Sequence, residues 1–227
     1  MSDLQKKNAG EAAAQYVEAG MVVGLGTGST AAWFVKALAA RNLSGLRCVP
    51  TSEKTADLAR ELGLTLSTLE DTPRIDLTVD GADEIGPGLA LIKGGGAALL
   101  REKLVWEASA RCIVIADAAK VVPVLGTFPL PIEVVAFGHK TTANRIADVL
   151  IDHDINQPAR LRQAERGMVR TDGGNLIYDA ACKAITDPAR LADDLKLITG
   201  VVEHGLFLDL ADLAVIGTDD GFETINP

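Results

Sequence analysis

The stretch MVVGLGTGSTAAWFVKALAARN, residues 21–42, decides the fold. Met21–Gly26 is a short apolar run that ends in a glycine turn, the pattern of a buried strand. Thr27, Ser29 and Thr30 then precede the helical pattern of residues 31–42, and Ser29 or Thr30 is suited to cap that helix. Strand, glycine turn and helix in this order open an α/β unit.

Outward from this stretch the alternation continues. Residues 3–19 carry Leu4, Ala12, Ala13, Tyr16 and Val17 at spacings that predict a helix with one apolar face. Residues 46–50, 64–69, 75–80, 89–92 and 112–117 read as strands. Between them, 53–63 (capped by Ser52 and ended by Gly63) and 97–110 read as helices. Such alternation predicts a parallel sheet with helices on both faces and ligands at the carboxyl ends of the strands.

The pattern changes at FPLPIEVV, where Pro129 and Pro131 mark a boundary. Strand at 132–137, helix at 141–152, strands at 159–163, 168–172 and 175–181, helix at 187–198 and strand at 201–208 follow. This order predicts a smaller α+β domain with its helices on one face. The apolar stretches DLAVIG and ETI return to the first sheet, which makes the second domain an insertion. The expected division is residues 1–128 with 206–227 for the part built on the parallel sheet, and 129–205 for the inserted part.

Composition narrows the function. Hydrophobic residues make up 48% of the 227, and the formal net charge is −9, so a nucleic-acid footprint is missing. An anionic metabolite remains compatible if a few lysines and backbone N–H groups face it locally. Cys48, Cys112 and Cys182 lack metal-ligand spacing and suit free thiols in a reducing compartment. The N-terminal residues lack the apolar core of a secretory signal, and no apolar run approaches the ~20 residues that span a bilayer. A cytoplasmic protein is the expectation.

Four segments place polar groups at strand ends. In Gly24–Thr30, glycines let the backbone approach an anion, the helix start adds N–H donors, and Thr27, Gly28, Ser29 and Thr30 form a phosphate-sized cradle. A turn without a ligand is the plainer reading. A dinucleotide fits less well, because Ser29 stands where the fingerprint needs glycine and no acid occurs between Glu18 and Glu53. Asp80-Gly81-Ala82-Asp83-Glu84 suits either a divalent metal or sugar hydroxyls and acid–base chemistry, or is a solvated turn. Lys93-Gly94-Gly95-Gly96 favours the sugar reading: its lysine argues against a metal cage, and its amides can surround an oxyanion. Glu102 is expected on the second turn of the next helix. In the fourth segment, Asp117–Lys120, Lys120 is either an ordinary surface residue or a second contributor to the anion site. His139, His153 and His204 fit no triad or metal spacing.

The segments GLGTGSTA, PTSEKT, TVDGADEI, LIKGGGAALLREK, IADAAK and FPLPIEV follow the order and spacing of a known family. GMVRTDGGNLIYD, GVVEHGLF and AVIGTDDGFETI do so as well, over nearly the whole chain. The sequence resembles the ribose-5-phosphate isomerase A family. The resemblance implies a cofactor-free, metal-free aldose–ketose isomerase of the pentose phosphate pathway, a homodimer or homotetramer whose partner is a small sugar phosphate. The fold it implies is α/β, a Rossmann-like, mostly parallel sheet in the catalytic part with an inserted smaller ferredoxin-like α+β domain, in agreement with the element order. The resemblance also implies sugar-phosphate contacts from Thr27–Thr30, Asp80–Asp83 and Lys93–Gly96, a general base at Glu102, and phosphate contacts from Lys120 and Lys6. Ala119 departs from the family pattern, where serine is common. A non-catalytic sugar-phosphate sensor shares a phosphate loop, but the chain has no spare basic segment for a DNA-binding helix-turn-helix. A nucleotide-dependent oxidoreductase or acyl-CoA-type transferase is the other rival.

Overall fold

A computed structural model of the chain describes residues 3–165 and 167–227. In chain order its main elements are α1 (Asp3–Ala14), β1 (Val22–Leu25), α2 (Ser29–Ala40), β2 (Arg47–Pro50), α3 (Glu53–Glu61), β3 (Leu77–Gly81), β4 (Glu84–Ile85), β5 (Leu91–Ile92), α4 (Leu99–Glu107) and β6 (Cys112–Asp117). Then come β7 (Leu130–Val134), α5 (His139–Asp152), β8 (Arg160–Leu161), β9 (Gln163–Ala164), β10 (Gly167–Met168), β11 (Leu176–Ala180), α6 (Pro188–Lys196), β12 (Val201–His204), β13 (Leu206–Phe207), β14 (Leu213–Thr218) and β15 (Gly221–Ile225). These form two compact units. The first comprises the chain up to Ala82, Arg101–Val121 and Asp209–Pro227, and the second comprises Asp83–Leu100 and Val122–Leu208.

The first unit is built on a six-stranded sheet in the order β15-β14-β6-β3-β1-β2. Every neighbouring pair is parallel except the edge pair β14–β15. Strands β1, β3 and β6 are buried almost throughout because both of their faces are covered, as a parallel sheet requires. Ala9 and Ala13 of α1 and Phe34, Val35 and Leu38 of α2 are buried in one core with Val23, Leu25, Val79, Ile113 and Val215 of the sheet. DLAVIG and ETI return to this sheet as β14 and β15.

In the second unit, β7, β11, β12 and β8 form an antiparallel sheet in the order β12-β7-β11-β8. The chain runs β7–α5–β8, then β11–α6–β12, which is the ferredoxin-like βαββαβ arrangement. Its core joins Ile132, Val134, Leu176 and Tyr178 to Ile146 and Leu150 of α5 and to Leu191 and Leu195 of α6. A small antiparallel sheet, β13-β5-β4, belongs to the same unit.

Three local expectations need correction. The first helix stops at Ala14, and Gln15, Tyr16 and Val17 continue it only as tighter turns that donate to the carbonyls three residues back. The stretch 64–69 is not a full strand: only Leu66 bridges to Cys48, because β2 is an edge strand of four residues. Gly28, and not Ser29 or Thr30, is the N-cap of α2. Its φ of 122° suits glycine, and no side chain caps the helix. Ser52 caps α3 as expected, accepting from the Thr55 N–H.

Candidate active site

In the first unit the chain enters β1, passes through α2 to β2 on one side, and returns through α3 to β3 on the other. The carboxyl ends of β1 and β3 therefore flank a topological switch point, the place where open α/β sheets hold ligands. Gly26 donates to the Val79 carbonyl at 3.0 Å, which draws the glycine turn against β3. Asp80 is fully buried, and its Oδ1 accepts from the Thr27 N–H at 3.0 Å and the Gly81 N–H at 2.7 Å. One carboxylate oxygen thus fixes both strand ends. A Cβ on Gly26 would lie 2.1 Å from that oxygen and 2.5 Å from the Asp80 Cα, so glycine is obligatory there.

The Thr27 side chain turns inward. Its hydroxyl lies 2.7 Å from the Thr51 hydroxyl, donates to Ser52 Oγ at 2.8 Å and lies 3.2 Å from the Thr55 hydroxyl. Thr51 and Thr55 donate in turn to the carbonyls of Leu25 and Gly26, at 3.1 and 3.0 Å. This hydroxyl cluster ties the glycine turn to the start of α3. What Thr27 offers outward is its place in the turn, while Gly28 and Ser29 are exposed and Thr30 is half-buried. Lys6, carried by α1, donates to Ser29 Oγ at 2.9 Å, so a cation stands at the open end of α2. A helix N-terminus with unspent N–H groups and an adjacent ammonium suits a phosphate.

Glu102 lies on the first turn of α4, one turn earlier than its sequence position suggested, and is 3% exposed. Arg101 beside it reaches Glu53 at 2.9 Å and is half-buried, while Lys103 on its other side is buried with it. The glutamate is thus the most withdrawn of the three charged residues. At the end of β6, buried Asp117 accepts from the Ala119 N–H at 3.2 Å and caps the short turn that carries half-buried Lys120.

In the second unit, Asp83 and the Lys93–Gly96 loop form a unit of their own. Asp83 donates its N–H to the Ile92 carbonyl at 2.8 Å, and its Oδ2 accepts from the Gly95 N–H at 2.8 Å. Lys93 is 2% exposed, its N–H bonds the Gly205 carbonyl, and its Nζ stands 5.4 Å from the centre of the Phe207 ring. Gly94 has φ +107°, a conformation that side chains with a Cβ rarely adopt. Arg162 donates to the Gly94 and Gly95 carbonyls at 2.8 and 3.2 Å.

The structure thus brings Lys6, Thr27–Thr30, Asp80, Gly81, Ala82, Glu102 and Lys120 into the first unit, and Asp83 with Lys93, Gly94, Gly95 and Gly96 into the second. Sequence reasoning missed the roles of Thr51, Ser52 and Thr55 toward Thr27, although Ser52 and Thr55 have the spacing of a helix cap. It also missed Arg162, which read only as part of a strand. Among the described residues, no three His, Cys, Asp or Glu side chains form a metal-holding group.

Comparison with known proteins identifies the family. The model of the family "Ribose 5-phosphate isomerase A (phosphoriboisomerase A)" matches residues 47–221. Ribose-5-phosphate isomerase A of Caulobacter vibrioides is 70% identical, covering 100% of this chain and 99% of that protein. Its counterpart in Parvibaculum lavamentivorans is 51% identical, covering 99% and 98%. The structure of ribose 5-phosphate isomerase from Plasmodium falciparum superposes with a TM-score of 0.93 at 36% identity, over 100% of this chain and 99% of that one. A D-ribose-5-phosphate isomerase in complex with phospho-erythronic acid superposes with a TM-score of 0.91 at 39% identity, over 98% of both chains. With its motifs, fold and full length in agreement, the chain belongs to the ribose-5-phosphate isomerase A family.

Proposed function

We propose a division of labour for the interconversion of ribose 5-phosphate and ribulose 5-phosphate, the isomerisation this enzyme catalyses. The reaction moves a proton between C2 and C1 of the open-chain sugar through an enediolate. It needs a base over one face of both carbons, donors for the oxyanion and an anchor for the phosphate. Glu102 is the base. The observation that carries this assignment is its burial, at 3% exposure, on the first turn of α4. A carboxylate withdrawn from water is a stronger base toward a carbon-bound proton.

Asp80, fixed by two backbone N–H groups, orients sugar hydroxyls and assists ring opening and proton exchange between O1 and O2. Gly81 and Ala82 complete its loop, and Asp83 orients a hydroxyl. Lys93 and the loop amides stabilise the oxyanion. Because the Gly95 N–H is held by Asp83, that task falls to Lys93 with the Gly94 and Gly96 amides. Gly28, Ser29 and Thr30 anchor the phosphate with Lys6, whose contact with Ser29 supports its choice, and with Lys120. Thr27 serves by fixing the turn.

The proposal extends to a metal-free, cofactor-free, cytoplasmic enzyme that works as a homodimer or homotetramer, with 129–205 as an inserted domain. No helix among the described residues is long and apolar enough to cross a membrane. The test is Glu102→Gln, assayed with ribose 5-phosphate in EDTA beside the parent enzyme. The parent stays active, and the variant loses about 10²-fold or more in kcat, the range of general-base catalysis. A near-normal kcat in the variant removes Glu102 from the role, and a parent that needs Mg²⁺ restores the metal reading of the acidic loop.

A further inference from the structure

We infer that Arg162, held by Asp179, is a positioning residue for the oxyanion loop: it sets and polarises the peptide groups of Gly94–Gly96. The inference rests on the reading of Lys93–Gly96 as the oxyanion site. Arg162 follows β8, and its backbone N–H bonds the Ile177 carbonyl of β11 at 2.8 Å. Its Nε donates to Asp179 Oδ2 at 2.8 Å and its Nη2 to Asp179 Oδ1, a bidentate pair. The two side chains are only 15% and 23% exposed, so water screens them weakly. With that edge of the guanidinium fixed, Nη1 is aimed at the Gly94 and Gly95 carbonyls, at 2.8 and 3.2 Å.

Those two contacts matter because of which peptide each carbonyl belongs to. The Gly94 carbonyl shares its peptide with the Gly95 N–H, which donates to Asp83 Oδ2 at 2.8 Å. The Gly95 carbonyl shares its peptide with the Gly96 N–H, a donor assigned to the enediolate. A cation bonded to a peptide oxygen draws electron density from its N–H and makes that N–H a stronger donor. The same bonds restrain three consecutive glycines, whose conformational freedom otherwise works against a preorganised site. Lysine could not do both tasks, since it lacks the planar fork that holds Asp179 while donating to two carbonyls.

The test is Arg162→Ala, with Asp179→Asn as the milder variant that keeps the guanidinium but weakens its anchor, and Lys93→Ala as a control. Since Arg162 acts through the loop and not on the substrate, kcat falls by about 10-fold in Arg162→Ala, less than for removal of an oxyanion donor itself. KM for ribose 5-phosphate and the affinity for inorganic phosphate stay near their parent values. Affinity for a four-carbon aldonate phosphate, whose planar carboxylate mimics the enediolate, falls in step with kcat/KM. Millimolar guanidinium restores part of the rate, and Asp179→Asn shows the same pattern more weakly. The inference is overturned if both variants keep the parent kcat, or if phosphate and analogue affinities fall together with the melting temperature, which marks a merely structural role. If Lys93→Ala keeps its activity, the oxyanion reading fails. If Lys93→Ala is impaired and Arg162→Ala is not, only the role of Arg162 fails.

Discussion

Two glycine loops of this molecule each follow a strand and lead into a helix, and each gives an N–H to an aspartate, yet the rest of their support differs. Gly24–Thr30 leaves β1, a central strand with parallel neighbours on both sides, and is tied down by the hydroxyls of Thr51, Ser52 and Thr55 and by one carboxylate oxygen of Asp80. Lys93–Gly96 leaves β5, a strand of two residues in a small antiparallel sheet, and is gripped by Asp83 at an N–H and by Arg162 at two carbonyls. A full parallel sheet already fixes where its loop begins, so hydroxyl bonds and a single oxygen of the adjoining Asp80 carboxylate suffice to finish it. A stub strand fixes little, and charged side chains from distant segments supply the rest, because charge-assisted bonds are roughly twice as strong as neutral ones.

The contrast is sharpest at the glycines themselves. At Gly26 a new Cβ would meet the Asp80 Cα at 2.5 Å, and backbone in a central sheet cannot retreat. Gly26→Ala therefore costs about 3 kcal/mol or more in urea denaturation, at or above the usual range for overpacking. At Gly95 the nearest atoms are the Asp83 carboxylate oxygens at 2.7 and 3.0 Å, the far end of a side chain that can rotate. Gly95→Ala costs only about 1 kcal/mol in stability, at the low end of overpacking, but lowers kcat by displacing Asp83. Equal losses of stability in the two variants would break the distinction between a sheet-held and a side-chain-held loop.

The same distinction explains what was legible in the sequence. β1, the turn and α2 were readable because run length, glycines and helical period are local signals, and so was the return of β14 and β15 as apolar stretches. The cap of α2 was misread: Ser29 and Thr30 are better capping residues than Gly28, but the chain needs φ of 122° at that point. Glycine triplets announce a loop but not its support. Arg162 touches Gly94 and Gly95 across separations of 68 and 67 residues, and nothing in ARLRQ marks that arginine apart from its neighbours. The inward turn of the Thr27 hydroxyl was hidden for the same reason, because its partners come from the next strand–helix junction.

A smaller effect probes the hydroxyl cluster of the first loop. Ser52→Ala removes the α3 cap and one of three hydroxyls around Thr27. It costs about 1 kcal/mol, the typical value of a serine cap, with a modest rise in KM if the turn loosens toward the phosphate. A loss of several kcal/mol would mean that the hydroxyl cluster, more than the sheet, holds the first loop.

The smallest and most specific effect lies at the far end of the second loop. Glu133 of β7 is 1% exposed; its Oε1 accepts from the Thr171 hydroxyl at 2.8 Å and from Asn175 Nδ2 at 3.0 Å. The Leu100 N–H, just beyond the loop, also favours its charged form, while burial, the dominant influence, and the charge of Glu203 push its pKa above the ordinary 4.5. A carboxyl group that binds its proton more tightly in the folded state contributes stability that is fully present below about pH 4.5 and is lost as pH rises through the raised folded-state pKa. Glutamine at this position keeps an oxygen for the Thr171 and Asn175 donors but cannot titrate. Urea denaturation of the parent and Glu133→Gln across that pH range should therefore show the parent losing ground steadily as pH rises. A difference that does not change with pH would show that this buried carboxylate is already matched by its donors, and that charge supports the second loop without any cost from desolvation.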